Sequence, residues 1–500
     1  MAVNAIPGFD LQPSAQQTPL STNYLNSAGF TWVQQYLPDT YEKEFERYGN
    51  RTVASFLRMV GAEMPSNSDL IKWAEQGRLH QKYQNCVSAG AAGARTGVWT
   101  IPGIGAVPGV GTNNPTNFNP QINAGGPNTA ALRVGQTVVI SDNTVGSNLQ
   151  NKGIVTVAPT AAAPGVFTVA YYETGGQAMV AATALCDIFI YGSEFAKGTN
   201  GMLGSNEADD NIFDNKPIII KDRYAVSGSD MAQIGWIEVT TENGASGYLW
   251  YLKSEHETRL RFEDYLETAM LEAVPAAAGS GAGDFLQGNL AAGTSAAGLS
   301  GSDGVFFVVG NRGNVFGGGN PQNLGAFDNI IQRLDKQGAI EENVIFCNRQ
   351  FSFDMDDMLA AQNSHGAGGT SYGLFDNDKD MALNLGFTGF RRGYDFYKSD
   401  WKYLNDPTMR GGIQGGGING LLVPAGSTTV YDQILGKNAK RPFLHVRYRA
   451  SETEDRRYKT WITGSAGGAQ SSSLDAMEVN FLSERAVCTL GANNFFLFQN

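Results

Sequence analysis

Residues 216–274 constrain the fold of this chain more than any other stretch. They read KPIIIKDRYAVSGSDMAQIGWIEVTTENGASGYLWYLKSEHETRLRFEDYLETAMLEAV. Two β-rich runs, Ile218–Val226 and Met231–Thr241, flank a turn signal at Ser227-Gly228-Ser229-Asp230, which predicts an extended two-stranded ribbon. A ribbon of this kind is marginal alone in water and needs a surface to lie on. The helix expected next has one thin apolar row, made of Tyr248, Leu252, Phe262, Leu266, Ala269 and Ala273. Its other faces carry Glu255 with Arg259 and Glu257 with Arg261, each pair at i,i+4 in the favourable order. So narrow a stripe does not suit the middle of a globular core. It reads as a spine in a thin wall, which is architecture rather than enzyme machinery.

The chain has 500 residues, enough for more than one domain and a sizeable core. Only 17% are charged, against about a quarter in ordinary globular chains, and 62 are glycine. Many turns and long ordered loops follow. A low-charge surface fits a protein that hides much of itself against partners, although β-rich extracellular domains share this composition. The formal net charge of −12 argues against nucleic-acid recognition as the main role, while leaving room for local basic patches lining a nucleic-acid container. Cys86, Cys186, Cys347 and Cys488 form no CxxC and read as buried free thiols in a reducing compartment. No apolar stretch follows a basic start, so no signal peptide is expected, and runs such as Val305–Val309 are too short to span a bilayer. Synthesis in a cytoplasm follows, and the Asn50-Arg51-Thr52 sequon carries no weight there.

The chain divides by composition. Residues 1–30 are Pro-, Ser- and Gln-rich and cannot build a core, so they read as an arm reaching a neighbouring subunit, or as a strand docked on their own domain. Residues 31–85 read as helical, with 3.6-type spacing over Glu42–Tyr48, Arg51–Val60 and Ser68–Tyr83. Residues 86–205 open with a Gly/Ala/Pro/Asn stretch. The β-type runs Leu132–Ile140, Gly153–Val157, Val166–Tyr172 and Leu185–Tyr191 follow, suggesting an inserted small all-β domain or a peripheral sheet. The ribbon occupies 206–245 and the spine helix 246–274. Residues 275–325 form a Gly/Ala-rich insertion with one strand-like run, Gly304–Val309. Residues 326–440 begin as helix, strand, helix over Phe327–Lys336, Asn343–Cys347 and Phe353–Gln362, and 441–500 are β-rich. The final Phe495-Phe496-Leu497-Phe498 would have both faces covered as a strand, which places it inside a sheet of the spine-helix domain.

Little of the chain carries catalytic chemistry. Gly415–Gly420 matches GxGxxG by letter but runs into Leu421-Leu422-Val423-Pro424, a strand ended by proline rather than a helix facing a pyrophosphate. His80, His256, His365 and His445 stand apart from one another and from cysteine; His256 reads as a surface residue and His445 as part of a contact surface. Glu207, Asp209, Asp210 and Asp214 lack EF-hand spacing. Asp354, Asp356 and Asp357 fit a helix start capped by Ser352 or Asp354. The mixed-sign run RPFLHVRYRASETEDRRYK at 441–459 suits a subunit contact or a solvated hairpin. No catalytic residue, metal ligand or cofactor is expected.

The order of arm, helical segment, inserted β-domain, ribbon, spine helix, α/β region and returning strands resembles the HK97-fold major capsid proteins of tailed bacteriophages. Residues 206–274 carry the likeness to that family's E-loop and P-domain helix, and 326–440 the likeness to its A-domain. The stretches GFTGFRRGYDFYKSDWKYLNDPTMRG at 386–411, YKTWITGSAGG and FLSERAVCTLGANNFFLF look like phage capsid proteins, and the whole chain is most similar to the major capsid proteins of crAss-like phages. The resemblance implies an α+β capsid fold and self-assembly into hexamers and pentamers of an icosahedral shell. It further implies double-stranded DNA bound non-specifically on the inner face, portal and auxiliary capsid partners, no membrane, and a virion assembled in the host bacterial cytoplasm. Lys221, Asp222, Arg223, Tyr224, Trp236, Arg447, Arg449, Arg456 and Arg457 are the expected subunit contacts. A decoration or fibre protein, or a β-rich carbohydrate-binding protein or hydrolase, are the alternative readings.

Overall fold

In the computed structural model, the chain is described at residues 62–76, 82–88, 93–102, 130–143, 149–160, 162–174, 185–203, 210–232, 250–288, 293–298, 300–338, 340–363, 389–413, 415–432, 437–466 and 471–499, with short pieces at 8–9, 19–20, 147, 239–240, 246–247 and 468. It separates into two compact units, 70–214 and 1–69 with 215–500. Most of the expected arm, Trp236 and the expected helices at 42–48 and 51–60 lie outside the described residues.

Strand β1 (Ala62–Ser66) belongs to the larger unit. In the smaller unit, β2 (Ile71–Gln76) pairs with β9 (Asp210–Asn215). Between them β3 (Lys82–Ser88), β4 (Thr96–Thr100), β5 (Gln136–Asp142), β6 (Gln150–Val157), β7 (Val166–Tyr171) and β8 (Cys186–Ser193) close a barrel in the order β8-β3-β4-β7-β6-β5. Its interior is Tyr83, Trp99, Val138, Ile140, Phe167, Val169 and Ile188. The all-β segment expected at 86–205 thus falls within a unit spanning 70–214. Among the described residues the helix expected at Ser68–Tyr83 is absent, and β1, β2 and β3 replace the described part of the helical 31–85 segment. The reason is a period of two: along Ile71–Gln76, Ile71, Trp73 and Glu75 are more covered than Lys72, Ala74 and Gln76, as strand pairing demands.

In the larger unit, β10 (Ile218–Ser227) is the first half of the expected ribbon; of the second half, Met231–Thr241, only 231–232 and 239–240 are described. It runs antiparallel to β18 (Ala476–Thr489), in register from Ile218–Arg485 to Ser227–Ala476. The other side of β18 takes β16 (Leu444–Arg449) and β17 (Lys459–Gly464), and β1 lies parallel to β16. Alternation explains the pairing with β18. Ile220, Tyr224 and Val226 put one apolar face on the sheet, and α1 (Trp250–Glu272) covers it with Phe262 and Leu266. A free ribbon would leave that face in water.

The second sheet has the order β11-β19-β15-β12-β14-β13. Its members are β11 (Asn314–Phe316), β12 (Glu342–Cys347), β13 (Gly389–Arg392), β14 (Tyr394–Asp400), β15 (Ile418–Pro424) and β19 (Phe496–Gln499). A short helix α2 (Gly281–Leu286) precedes α3 (Val305–Arg312), which packs on one face, while α4 (Leu324–Gln337) and α5 (Arg349–Asn363) pack on the other. The helix–strand–helix expected over 327–362 appears as α4, β12 and α5. The strand expected at Gly304–Val309 is instead helix α3: an unbroken apolar run has no polar residue to set its phase, and burial all round accepts either form. Gly304 caps it where a Cβ would stand 2.6 Å from the Ala273 backbone, so only glycine lets the end of α1 approach this closely. Asn348, not Ser352 or Asp354, caps α5, accepting from Phe351 N at 2.7 Å.

The C-terminal strand alternates as expected. Phe495 and Leu497 enter one core and Phe496 and Phe498 the other. Its sheet differs: β19 lies between β11 and β15, not beside the spine-helix strands. Gly491, at φ 60, turns the chain out of β18 and permits the switch.

Candidate functional site

The face of α1 turned toward β1 and β18 borders a cavity of about 570 Å³ lined by acidic and basic side chains, all within the larger unit. Glu255, Glu263 and Glu267 come from α1, and Arg259 pairs with Glu263 at 3.8 Å. Opposite them, Glu63 of β1 is held by two guanidiniums. Arg457 Nε donates to its Oε2, and Arg485 Nη1 pairs with its Oε1 at 3.4 Å. Arg485, only 7% exposed, also donates to the Arg457 carbonyl at 3.0 Å and to Ser483 Oγ at 2.9 Å. A charge this deep needs such partners. Beside it, Glu484 takes Arg456 at 2.7 Å and Arg449 at 3.7 Å, and Arg449 also pairs with Asp69. The loop 450–458 is thereby bound to β18 and β1. Lys459 beside Glu454 holds that carboxyl below its ordinary value.

The expected contact residues therefore divide. Arg449, Arg456 and Arg457 find partners inside the chain, and Arg447 Nη1 lies 4.0 Å from Met64 Sδ. These arginines bind the sheet to itself. The expected contact residue His445 is buried in β16, its Nδ1 3.2 Å from the Pro442 carbonyl. On β10, Lys221 is exposed, Arg223 pairs with Glu478 at 3.1 Å, and Asp222 accepts from Arg223 N at 2.8 Å. Tyr224 packs under α1, and burial pushes its phenol up.

Three anchors escaped sequence reasoning. Asn215 Nδ2 donates to the carbonyls of Val487 at 2.6 Å and Asp303 at 3.0 Å, while its Oδ1 accepts from Ser302 Oγ at 2.9 Å. Glu272, ending α1, accepts from Tyr403 Oη at 2.8 Å and from Arg410 Nη1 at 3.3 Å. Burial, then the bond to Glu272, push the Tyr403 phenol up. Lys398 of β14 pairs with Asp356 of α5 at 2.5 Å, both nearly buried. An isolated Asn or Lys in a strand gives no local pattern; only the pairing with distant partners identifies it.

Among the described residues no group of three or more His, Cys, Asp or Glu side chains could hold a metal ion, and no helix is long and apolar enough to cross a membrane. Of the acidic cluster at 207–214, only Asp210 and Asp214 are described, in β9. Gly415 and Gly416 lead into β15, a wholly buried strand and not a helix facing a phosphate.

No family model matches the chain, and no curated protein matches it in sequence. Solved structures do superpose loosely. A chain from Gordonia phage Cozz is 10% identical, with 98% of each chain covered and a TM-score of 0.36. One from Microbacterium phage Oxtober96 is 10% identical, covering 92% of this chain and 96% of that one, with a TM-score of 0.35. The capsid of an empty GTA particle is 10% identical, covering 95% of this chain and 99% of that one, also at 0.35.

Proposed function

We propose that the chain is the major capsid protein of a tailed bacteriophage, an HK97-like subunit that builds an icosahedral shell of hexamers and pentamers around double-stranded DNA. The observation that carries this reading is helix α1 lying on the sheet β10-β18-β16-β1, with the chain then passing through α3 into a separate α/β sheet. Helix on one sheet makes a two-layer wall, and the Arg457–Glu63–Arg485 cluster under α1 ties β1 and the 450–458 loop to β18.

In this reading the sheet with α1 is the P-domain and the sheet β11-β19-β15-β12-β14-β13 the A-domain. Because β10 is part of the P-domain sheet, the E-loop shortens to the segment between β10 and α1. Lys221, on the exposed face of β10, and Trp236, in the shortened loop, are the contact residues; Arg447, Arg449, Arg456 and Arg457 serve inside the subunit. Residues 1–30 reach a neighbouring subunit, DNA is held non-specifically, portal and auxiliary proteins complete the particle, and assembly takes place in the host cytoplasm. The sequence stretches at 386–411 and 458–498 favour the crAss-like group. The role is structural.

Sedimentation velocity of the expressed chain tests this. A fast, discrete boundary of closed particles is expected; a single 53.6 kDa species at every concentration would contradict it.

A further inference from the structure

We propose that Cys86 and Cys186 are an oxidisable pair that closes into an intrachain disulfide inside the barrel of residues 70–214. The two residues stand directly opposite each other on β3 and β8. Opposed residues of an antiparallel pair point to the same face. Both side chains enter the barrel core beside Trp99 and Phe167, both are buried, and both are free thiols. Opposed positions place Cα atoms roughly 4.5–5.5 Å apart, inside the roughly 4.4–6.8 Å that a disulfide spans.

The backbone around the pair is specialised. Asn85 has φ 57, and the register shifts between Cys186 and Ile188. Asp187 fixes this bulge, accepting from Asn85 N at 3.4 Å and pairing with Lys82 at 2.7 Å. Strand β3 is also lightly zipped. Among the described residues its register with β4 is confined to Val87–Thr100 and Ser88–Trp99, and that with β8 to Cys86–Cys186, Tyr83–Ile188 and Lys82–Phe189. A bond at Cys86 would staple this seam. A metal does not fit here, because Asp187 is already engaged and no three-ligand group is present among the described residues.

Burial pushes the Cys186 thiol up to about 11 and that of Cys86 higher still, so both are protonated at neutral pH and reaction follows opening of the seam. The oxidant is hydrogen peroxide. The Cys186 thiolate attacks one peroxide oxygen and the O–O bond breaks, giving a sulfenic acid and a hydroxide that takes up the thiol proton as water. The Cys86 sulfur then displaces the sulfenic oxygen, which leaves as a second water. Two thiols and one peroxide become one disulfide and two waters.

The test is a non-reducing peptide map of the full chain after peroxide treatment, in buffer and in mild urea that opens β3. Expected is one cross-linked peptide pair carrying Cys86 and Cys186, with Cys347 and Cys488 alkylated after unfolding. The midpoint for thermal unfolding of the barrel should rise by roughly 10 °C, the scale for a loop of about 100 residues, and fall back with dithiothreitol. The Cys186→Ser variant should lose both effects. Separate alkylation of Cys86 and Cys186 under both conditions, or pairing of either with Cys347 or Cys488, would overturn the proposal.

Discussion

Phe262 in the middle of α1 stacks on Phe481 of β18, ring centroids 5.6 Å apart and planes at 30°. Tyr458 meets the same Phe262 ring edge-on at 5.5 Å, so one buried aromatic joins the helix, the sheet and the loop 450–458. Phe262→Ala should destabilise the larger unit by about 3–5 kcal/mol, the usual range for a fully buried phenylalanine. Urea unfolding followed by tryptophan fluorescence checks it. A loss below about 1 kcal/mol would mean that α1 is not fixed to the sheet there.

The Glu63 clamp should show as a charge effect. Glu63→Gln removes one carboxylate from the buried Arg485 guanidinium. A loss on the order of 3 kcal/mol in urea is expected, and Glu63→Gln with Arg485→Met should recover part of it. Additive losses in the double variant would show that the two side chains do not act together.

Asp284 gives a pH-dependent signal. Its carboxylate accepts from Gly293 N at 2.8 Å and Ser295 N at 2.9 Å. Desolvation pulls the carboxyl up, but the bonds from Ser295, Gly293 and Thr294 outweigh it and leave it below the ordinary value. A group with a depressed folded value stabilises above its unfolded value and loses that contribution as pH falls through the folded one. Protection of the Gly293 and Ser295 amides against hydrogen exchange, measured against the exchange expected of an unstructured chain at the same pH, should therefore hold at neutral pH and fade below about pH 4. In Asp284→Asn protection should already be low at neutral pH. Equal protection in variant and parent at neutral pH would remove Asp284 as the anchor of 280–298.

The C-terminal strand is a fourth case. Phe495 and Leu497 fill one core and Phe496 and Phe498 the other, so chain lost after Asn494 opens both faces of the second sheet. Truncation there should yield aggregated protein, since each lost side chain contributes roughly 1.5–3 kcal/mol. A soluble, cooperatively unfolding truncated chain, seen by size exclusion and calorimetry, would contradict this.

Local pattern made part of this architecture readable and long-range pairing hid the rest. Amphipathic spacing marks α4 and α5, and alternation marks β5 to β8 and the faces of β19. The run Ile218–Val226 also reads correctly as a strand. Its partner could not be read, because Ile218 pairs with Arg485, far along the chain, while turn residues nearby suggest a hairpin. The same holds for the arginines. Within RPFLHVRYRASETEDRRYK their mixed signs look like a surface awaiting a partner, yet Arg457 pairs with Glu63, and Arg449 with Asp69 and Glu484. The run at Val305–Val309 has no polar residue to choose between a period of two and one of 3.6, so its local sequence does not show that it forms α3.

Negative-stain electron microscopy of the expressed full-length chain tests the central claim most directly. A shell-forming subunit predicts closed, roughly isometric particles of uniform diameter, which vanish when Phe262→Ala loosens the wall. A field of dispersed single subunits from the parent chain, across salt and protein concentrations, would contradict the account.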